Sequence, residues 1–212
     1  MDDRTPVWTV IVAAGSGTRF GGAKQYLELA GMRVVDRSVA AAAQVSDGVV
    51  VVVPPADVST ESSRSAATAV VAGGPSRAAS VRNGLAAVPP EAAIICVHDA
   101  ARPLAGPDIY HKVVGEVRAG AGGAVPVVPV TDTIRRVDGE VVDRSTLQAV
   151  QTPQAFRAEL LRMAHTGAGD ATDDAGLVQA AGYPVVAVEG HPRNIKITHP
   201  HDLVVAEAWL AT

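Results

Sequence analysis

The amino-acid sequence predicts an α/β fold built on a mainly parallel sheet flanked by helices. Short β-rich runs alternate with longer helical stretches along most of the chain. One run, residues 49–53, is entirely valine. Strands without polar alternation are typical of parallel sheets that are buried on both faces. The alternation of strands and helices predicts βαβ units.

The individual elements follow from the apolar patterning and the residues that interrupt it. A first strand is expected at 8–12, where a glycine-rich loop ends it, and a second at 48–53, where Pro54 and Pro55 stop it. A helix over 107–118 begins with a proline, which is tolerated there because the first helical N–H has no partner in any case. The further expectations are helix 34–44, a strand ending at 70–71, helix 76–88, strand 93–97, strand 124–130, helices 158–164 and 174–181, strands 184–188 and 194–197, and helix 201–210.

Residues 131–153 break this rhythm. Asp138-Gly139 separates two short β-rich runs at 133–137 and 140–143, which is a strong hairpin signal. The hairpin is polar and rich in arginine, so it is expected to project from the sheet as an arm. We therefore expect a Rossmann-like sheet in a single domain over 1–212, with 131–153 as a β-arm.

Composition excludes several classes of protein. The 212 residues are 48% hydrophobic with a net charge of −4, which favours a globular fold and argues against nucleic-acid binding. No apolar run approaches the ~20 residues of a membrane span, and the N-terminus has no signal-peptide pattern. The single cysteine, Cys96, lies in an apolar run and predicts a buried thiol in a reducing compartment. A cytoplasmic protein without a membrane partner is expected.

The segment from Ala13 to Lys24 predicts a phosphate-binding loop. Its glycines allow the backbone to direct N–H groups at phosphate oxygens, and Arg19 and Lys24 add positive charge. It is not a dinucleotide fingerprint, because Phe20 occupies the place of the third glycine. It is not a P-loop either, because Gln25 follows the lysine. The alternative is a glycine-rich turn with solvated cations.

Asp99 follows directly after a predicted buried strand. Parallel sheets bind ligands beyond the carboxyl ends of their strands, so its carboxylate is expected in the ligand cleft. Mg²⁺ is commonly held by one or two carboxylates together with substrate phosphates, so Asp99 alone is enough for a metal site. The alternative is an aspartate that only caps the turn. His98 is expected to be structural.

Several further segments accompany the loop in a fixed order. They are Gly73-Gly74-Pro75-Ser76-Arg77-Ala78-Ala79-Ser80-Val81, Val97-His98-Asp99-Ala100-Ala101-Arg102-Pro103, Asp132-Thr133-Ile134, Gln151-Thr152-Pro153-Gln154, Thr172-Asp173-Asp174-Ala175 and Asn194-Ile195-Lys196-Ile197-Thr198. With the loop they resemble the family of 2-C-methyl-D-erythritol 4-phosphate cytidylyltransferases of the non-mevalonate isoprenoid pathway. The resemblance covers residues 12–207, nearly the whole chain.

The resemblance implies an Mg²⁺-dependent transfer of a cytidylyl group from CTP to methylerythritol phosphate, with release of pyrophosphate. It implies catalytic roles for Arg19, Lys24 and Lys196, and a metal role for Asp99. The implied nucleotide-binding residues are Ala13, Ala14, Gly15, Gly17, Gly74 and Ser80. The implied acceptor-binding residues are Thr133, Arg144, Arg102, Thr172 and Asp173. Because the family's arm reaches the neighbouring subunit, a homodimer with sites completed in trans is also implied.

The sequence departs from the family pattern at Val12, at Pro75 and in the short stretch 20–23, which leaves affinity and loop mobility open. None of these departures removes a charged group assigned to catalysis. One alternative is a cytidylyltransferase for another polyol phosphate, such as ribitol 5-phosphate. A second is a catalytically silent nucleotide-binding protein, and a dinucleotide-dependent oxidoreductase is the weakest.

Overall fold

The computed structural model describes residues 5–166 and 173–211. An eight-stranded sheet forms its centre. The strands are β1 Val7–Val12, β4 Gly48–Val53, β5 Ala69–Ala72, β6 Ile94–Asp99, β7 Gly123–Pro129, β10 Gln148–Val150, β11 Gln154–Arg157 and β12 Val185–Glu189, with two short hairpins, β2 Glu28–Leu29 with β3 Met32–Arg33 and β8 Ile134–Arg135 with β9 Val141–Val142. The helices are α1 Val34–Ala43, α2 Val58–Arg64, α3 Arg77–Ala87, α4 Pro107–Arg118, α5 Ala158–Ala164, α6 Asp174–Ala180 and α7 Pro200–Leu210.

One half of the sheet is parallel, in the order β6, β1, β4, β5. Its valine strand β4 is buried on both faces, as predicted: Val49, Val51 and Val53 pack with α1 and α4, while Val50 and Val52 pack with α3. Each buried valine contributes about 1.5 kcal/mol or more to the hydrophobic stabilisation of the fold. The α/β fold with a mainly parallel sheet and helices on both faces is therefore confirmed.

The other half of the sheet is mixed, which the sequence did not predict. Strand β7 pairs with β12 along one edge, in parallel, and with β10 and β11 along the other, antiparallel. Strand β11 also pairs antiparallel with β6, so it lies between β6 and β7. The chain therefore leaves the sheet after β7, and residues 131–147 of the arm lie outside it. The rest of the predicted arm returns to the sheet as β10, which pairs with β7, and β11 then lies between β6 and β7.

The arm contains the predicted hairpin in shorter form. Strands β8 and β9 have two residues each, and Gly139 takes a φ of 103° in the turn between them. The arm residues Val137 and Val141 are exposed.

Two sequence expectations about secondary structure were wrong or incomplete. Residues 194–197 do not form a strand, because their backbone bonds run to loops; the N–H of Ile197 donates to the carbonyl of Ala101 at 2.8 Å. The helix α2 was not expected, since its sequence is rich in serine and threonine. Within residues 5–166 and 173–211, no helix is long and apolar enough to cross a membrane.

Candidate active site

An open cleft of about 470 Å³ lies at the carboxyl ends of β1 and β6. This is the edge at which parallel sheets bind ligands. Its lining contains ten residues that the sequence predicted for the nucleotide, the metal and catalysis. They are Ala13, Ala14, Gly15, Gly17, Arg19, Lys24, Gly74, Ser80, Asp99 and Lys196.

The loop after β1 is held in a tight turn at Gly17. The carbonyl of Gly17 accepts from the N–H groups of Phe20 and Gly21, each at 2.9 Å. Gly17 has a φ of 64°, and a Cβ added there would lie 2.0 Å from the carbonyl oxygen of Gly22. Only glycine fits this position without strain. The turn therefore fixes how the backbone of the loop faces the cleft.

A second glycine turn, before α3, closes one side of the cleft. The N–H of Gly74 donates to Oγ of buried Ser80 at 3.1 Å, and Ser80 Oγ donates to the carbonyl of Ser76 at 3.0 Å. A Cβ on Gly73 would lie 2.3 Å from Cβ of Ala14, so the two glycine segments are in close contact. They form a narrow wall of backbone groups and one hydroxyl.

Asp99 carries the negative charge of the site. Its Oδ2 accepts from Lys196 Nζ at 2.6 Å, and its Oδ1 accepts from Arg77 Nε at 3.3 Å. Burial raises the pKa of this carboxyl, but the positive charges of Arg77 and Lys196 outweigh it and hold the pKa well below its usual range. Asp99 is therefore ionised at neutral pH.

The backbone of Asp99 is fixed from behind by a polar pair. Its N–H donates to Oγ1 of buried Thr152 at 3.0 Å, and the same hydroxyl lies 3.0 Å from Nδ1 of His98. Burial lowers the pKa of His98 to about 4, so its ring is neutral. His98 therefore supports the end of β6, in agreement with the structural role expected from the sequence.

Three cations, Arg19, Lys24 and Lys196, line the same cleft as Asp99. The Nζ of Lys24 donates to the carbonyl of Ile197, which brings the loop end next to Lys196. Burial, then the charges of Lys196 and Arg19, lower the pKa of Lys24. Three cations on the lining of one cleft make it a suitable place for an anion.

Other predicted residues lie outside the cleft lining. Arg102 donates to the carbonyls of Asn194, at 2.7 Å, and Val150, at 3.3 Å. Asp173 caps α6 by accepting from the N–H of Gly176 at 3.0 Å. On the arm, Thr133 is exposed, and exposed Arg144 donates to the carbonyl of Thr131. Thr172 lies outside the described residues.

Sequence reasoning missed two interactions that support the site. Arg77 joins Asp99 to Asp174, whose Oδ2 lies 2.8 Å from Arg77 Nη1. The Nδ2 of buried Asn194 donates to the carbonyl of Thr152 at 3.0 Å and anchors the segment that carries Lys196. Both pairs are distant in sequence, and only the presence of these residues in the quoted segments signalled them.

The donor set at Asp99 fits a magnesium ion held mainly by ligand phosphates. In the described part of the chain, no three His, Cys, Asp or Glu residues are grouped so that they could hold a metal. An ionised carboxylate beside a phosphate-binding loop is the donor set that Mg²⁺ uses when phosphates complete its coordination.

A parallel-sheet cleft with a glycine loop, a cluster of cations and one carboxylate suits a ligand that carries phosphate groups. The chain matches the family model described as "IspD: 2-C-methyl-D-erythritol 4-phosphate cytidylyltransferase" over residues 7–212. The chain therefore belongs to this family, as its sequence segments indicated.

Individual relatives and a solved structure are similar to the chain over most of its length. The chain is 47% identical to the 2-C-methyl-D-erythritol 4-phosphate cytidylyltransferase of Rhodococcus jostii, over 98% of this chain and 96% of the relative. It is 43% identical to the bifunctional enzyme IspD/IspF of Solidesulfovibrio magneticus, over 95% of this chain but 57% of the relative. The chain thus spans a little over half the length of such bifunctional relatives. The crystal structure of the Thermus thermophilus cytidylyltransferase superposes with a TM-score of 0.83 at 37% identity, covering 96% of this chain and 98% of that one.

Proposed function

We propose that the chain transfers a cytidylyl group from CTP to 2-C-methyl-D-erythritol 4-phosphate and releases pyrophosphate. The observation that carries this proposal is the convergence of the glycine loop, Lys24, Asp99 and Lys196 on one cleft in a chain of this family. The wall formed by Gly74 and Ser80 suits a pyrimidine edge, because the Ser80 hydroxyl is fixed by the Gly74 N–H and the Ser76 carbonyl and keeps an acceptor lone pair for an amino group of the base.

The reaction needs no general base from the protein. The acceptor's phosphate monoester has a second pKa of about 6, so it is largely dianionic at neutral pH and can attack the α-phosphorus of CTP directly. Its oxygen forms the new P–O bond, and pyrophosphate leaves with the electron pair of the broken one. The chain's part is to align the two phosphates and to stabilise the charge that develops on the phosphoryl oxygens, through Arg19, Lys24 and Lys196.

Magnesium is proposed as the cofactor, with Asp99 as its protein ligand. A bound Mg²⁺ would neutralise phosphate charge and assist the departure of pyrophosphate. Lys196 occupies Oδ2 of Asp99 in this structure, and its side chain is 38% exposed, so it has room to turn toward a bound nucleotide. Lys196 therefore can serve both as counter-ion and as phosphate ligand.

A homodimer completed by the arm is proposed as the functional unit. Thr133 and Arg144, which the family resemblance assigns to the acceptor, are exposed on the arm and do not line the chain's own cleft. A partner's arm would bring these groups to the acceptor phosphate, which an arginine binds with two parallel hydrogen bonds. A cytoplasmic location is proposed with this function.

The first test is pyrophosphate release with CTP and Mg²⁺, with methylerythritol phosphate or ribitol 5-phosphate as acceptor. We expect release with methylerythritol phosphate alone. Lys196→Ala should reduce turnover by at least about 100-fold, as loss of a charge-stabilising group does, with little change in the thermal midpoint. Release with ribitol 5-phosphate alone would move the acceptor to that polyol, and no release with either would refute the transferase.

The trans site is tested by mixing Lys24→Ala and Arg144→Ala subunits. Sites completed in trans should regain activity on subunit exchange, up to about a quarter of the wild-type value, because half of the dimers are mixed and each has one intact site. Arg136→Ala is the matched control, since Arg136 is an exposed arm arginine that pairs with Asp138 at 3.4 Å. No regain after exchange, or an active monomer, would refute completion in trans.

A further inference from the structure

Two buried residues lie behind Asp99 without lining the cleft. Asp174, at the start of α6, has a side chain that is 1% exposed, and His165, after α5, has one that is 2% exposed. The Oδ1 of Asp174 lies 2.9 Å from Nε2 of His165, and its Oδ2 lies 2.8 Å from Nη1 of Arg77. Both carboxylate oxygens therefore have a side-chain partner, buried His165 at Oδ1 and the 24% exposed Arg77 at Oδ2, so Asp174 holds both neighbours in place.

Arg77 is shared unequally between two carboxylates. Its Nη1 lies 2.8 Å from Asp174 Oδ2, whereas its Nε lies 3.3 Å from Asp99 Oδ1, so its stronger bond is to Asp174. Burial lowers the pKa of Arg77, but the charges of Asp174 and Asp99 outweigh it and raise the pKa, so Arg77 stays positive. One positive charge divided between two carboxylates neutralises neither of them completely.

This division matters because two cations, Arg77 and Lys196, bond directly to the carboxylate of Asp99. Lys196 holds Oδ2 at 2.6 Å but is 38% exposed, whereas the Arg77 side chain is 24% exposed and tied down by Asp174. A divalent cation at Asp99 has to compete with both positive charges. Lys196 has room to move onto a ligand, so the position of Arg77 determines how much negative charge Asp99 presents at Oδ1.

We infer that Asp174, held by His165, is a positioning residue that keeps the Arg77 guanidinium partly withdrawn from Asp99 and so preserves the affinity of Asp99 for a divalent cation. This inference rests on the proposed function. Asp174 acts through Arg77 and contacts neither the substrate nor the metal.

The decisive variant is Asp174→Asn, which keeps the size of the side chain and one oxygen acceptor but removes the charge. Arg77 should then move toward Asp99, and the half-saturating Mn²⁺ concentration measured by electron paramagnetic resonance with saturating CTP should rise about tenfold, a middle value for directly coupled groups. Unchanged Mn²⁺ uptake by a folded Asp174→Asn protein would overturn the inference.

The double variant Arg77→Gln with Asp174→Asn separates this effect from simple loss of stability. It removes the charges of Arg77 and Asp174 together, so neither is left without its partner, and the test remains available if the single variant does not fold. Because Asp99 then loses its Arg77 neighbour, Mn²⁺ should bind at least as tightly as in the wild type. Weaker binding by the double variant would overturn the inference.

Glu61→Gln is the matched control. Glu61 is also a buried carboxylate bonded to an arginine, Arg33 at 2.8 Å, but it does not line the cleft. It should lower the thermal midpoint and leave Mn²⁺ uptake unchanged. If wild-type protein with CTP took up no Mn²⁺, the proposed function and this inference would fail together, whereas uptake that is insensitive to Asp174 would refute the inference alone.

Discussion

The glycine loop allows a graded prediction about nucleotide affinity. Gly22→Ala meets nothing within 4 Å and needs no positive φ, so it should be nearly neutral. Gly21→Ala meets no neighbour but requires a φ of 93°. A left-handed conformation costs a non-glycine residue about 1–2 kcal/mol, which corresponds to about 5- to 30-fold weaker binding when the loop conformation is needed for the ligand.

Gly17→Ala adds a steric clash to the cost of a positive φ. Its φ of 64° adds the same strain, and its Cβ would lie 2.0 Å from the carbonyl of Gly22, so the turn has to open. Opening disturbs the bonds that the Gly17 carbonyl accepts from Phe20 and Gly21, each worth about 0.5–1.5 kcal/mol. The sum is about 2–5 kcal/mol, or about 30- to 5,000-fold in affinity for CTP.

Isothermal titration with Mg²⁺ and CTP measures this series directly, and urea unfolding checks that the loop variants keep their global stability. The affinity for CTP should become progressively weaker in the order Gly22→Ala, Gly21→Ala, Gly17→Ala. Equal affinities for the Gly17 and Gly22 variants would refute it.

Three further predictions concern the body of the protein. Gly84→Ala should destabilise the fold by about 1–2 kcal/mol in urea unfolding, because its Cβ would lie 2.4 Å from Cγ1 of Val10. Gly115→Ala in α4 meets no atom and should stabilise the fold by up to about 1 kcal/mol. A Gly84→Ala protein more stable than Gly115→Ala would contradict the packing. Cys96 should react with a thiol reagent only after unfolding, because burial raises its pKa to about 12; rapid reaction of native protein would contradict this. Stability should fall as the pH drops from 6.5 towards about 4, because unfolded His98 takes up a proton that the buried ring resists, and His98→Gln should flatten the dependence.

Much of the parallel half could be read from the sequence, because local pattern and burial agree there. The valine run has no polar face and so fits only a strand covered on both sides, which the structure confirms. The loop and Asp99 were predicted to meet because both follow strand ends, and adjacent parallel strands place those ends at one edge of the sheet.

The mixed half was not readable in the same way. Strand β11 is only four residues long, and its partners β6 and β7 are distant in sequence. Residues 194–197 have an apolar alternation that resembles a strand, but Ile195 and Ile197 pack with Leu29 and Phe20 in a small separate cluster. An alternating apolar pattern indicates that one face of a segment is buried, but it does not indicate which residues cover that face. The Arg77–Asp174 pair depends on such long-range packing, so the sequence alone did not predict it.

The path of the chain through the sheet has an evolutionary consequence. The groups proposed for the nucleotide come from the stretch before residue 103, apart from Lys196, while the arm that is proposed to meet the acceptor is inserted between β7 and β10. Substitutions in the arm can therefore accumulate without disturbing the valine core or the glycine turns.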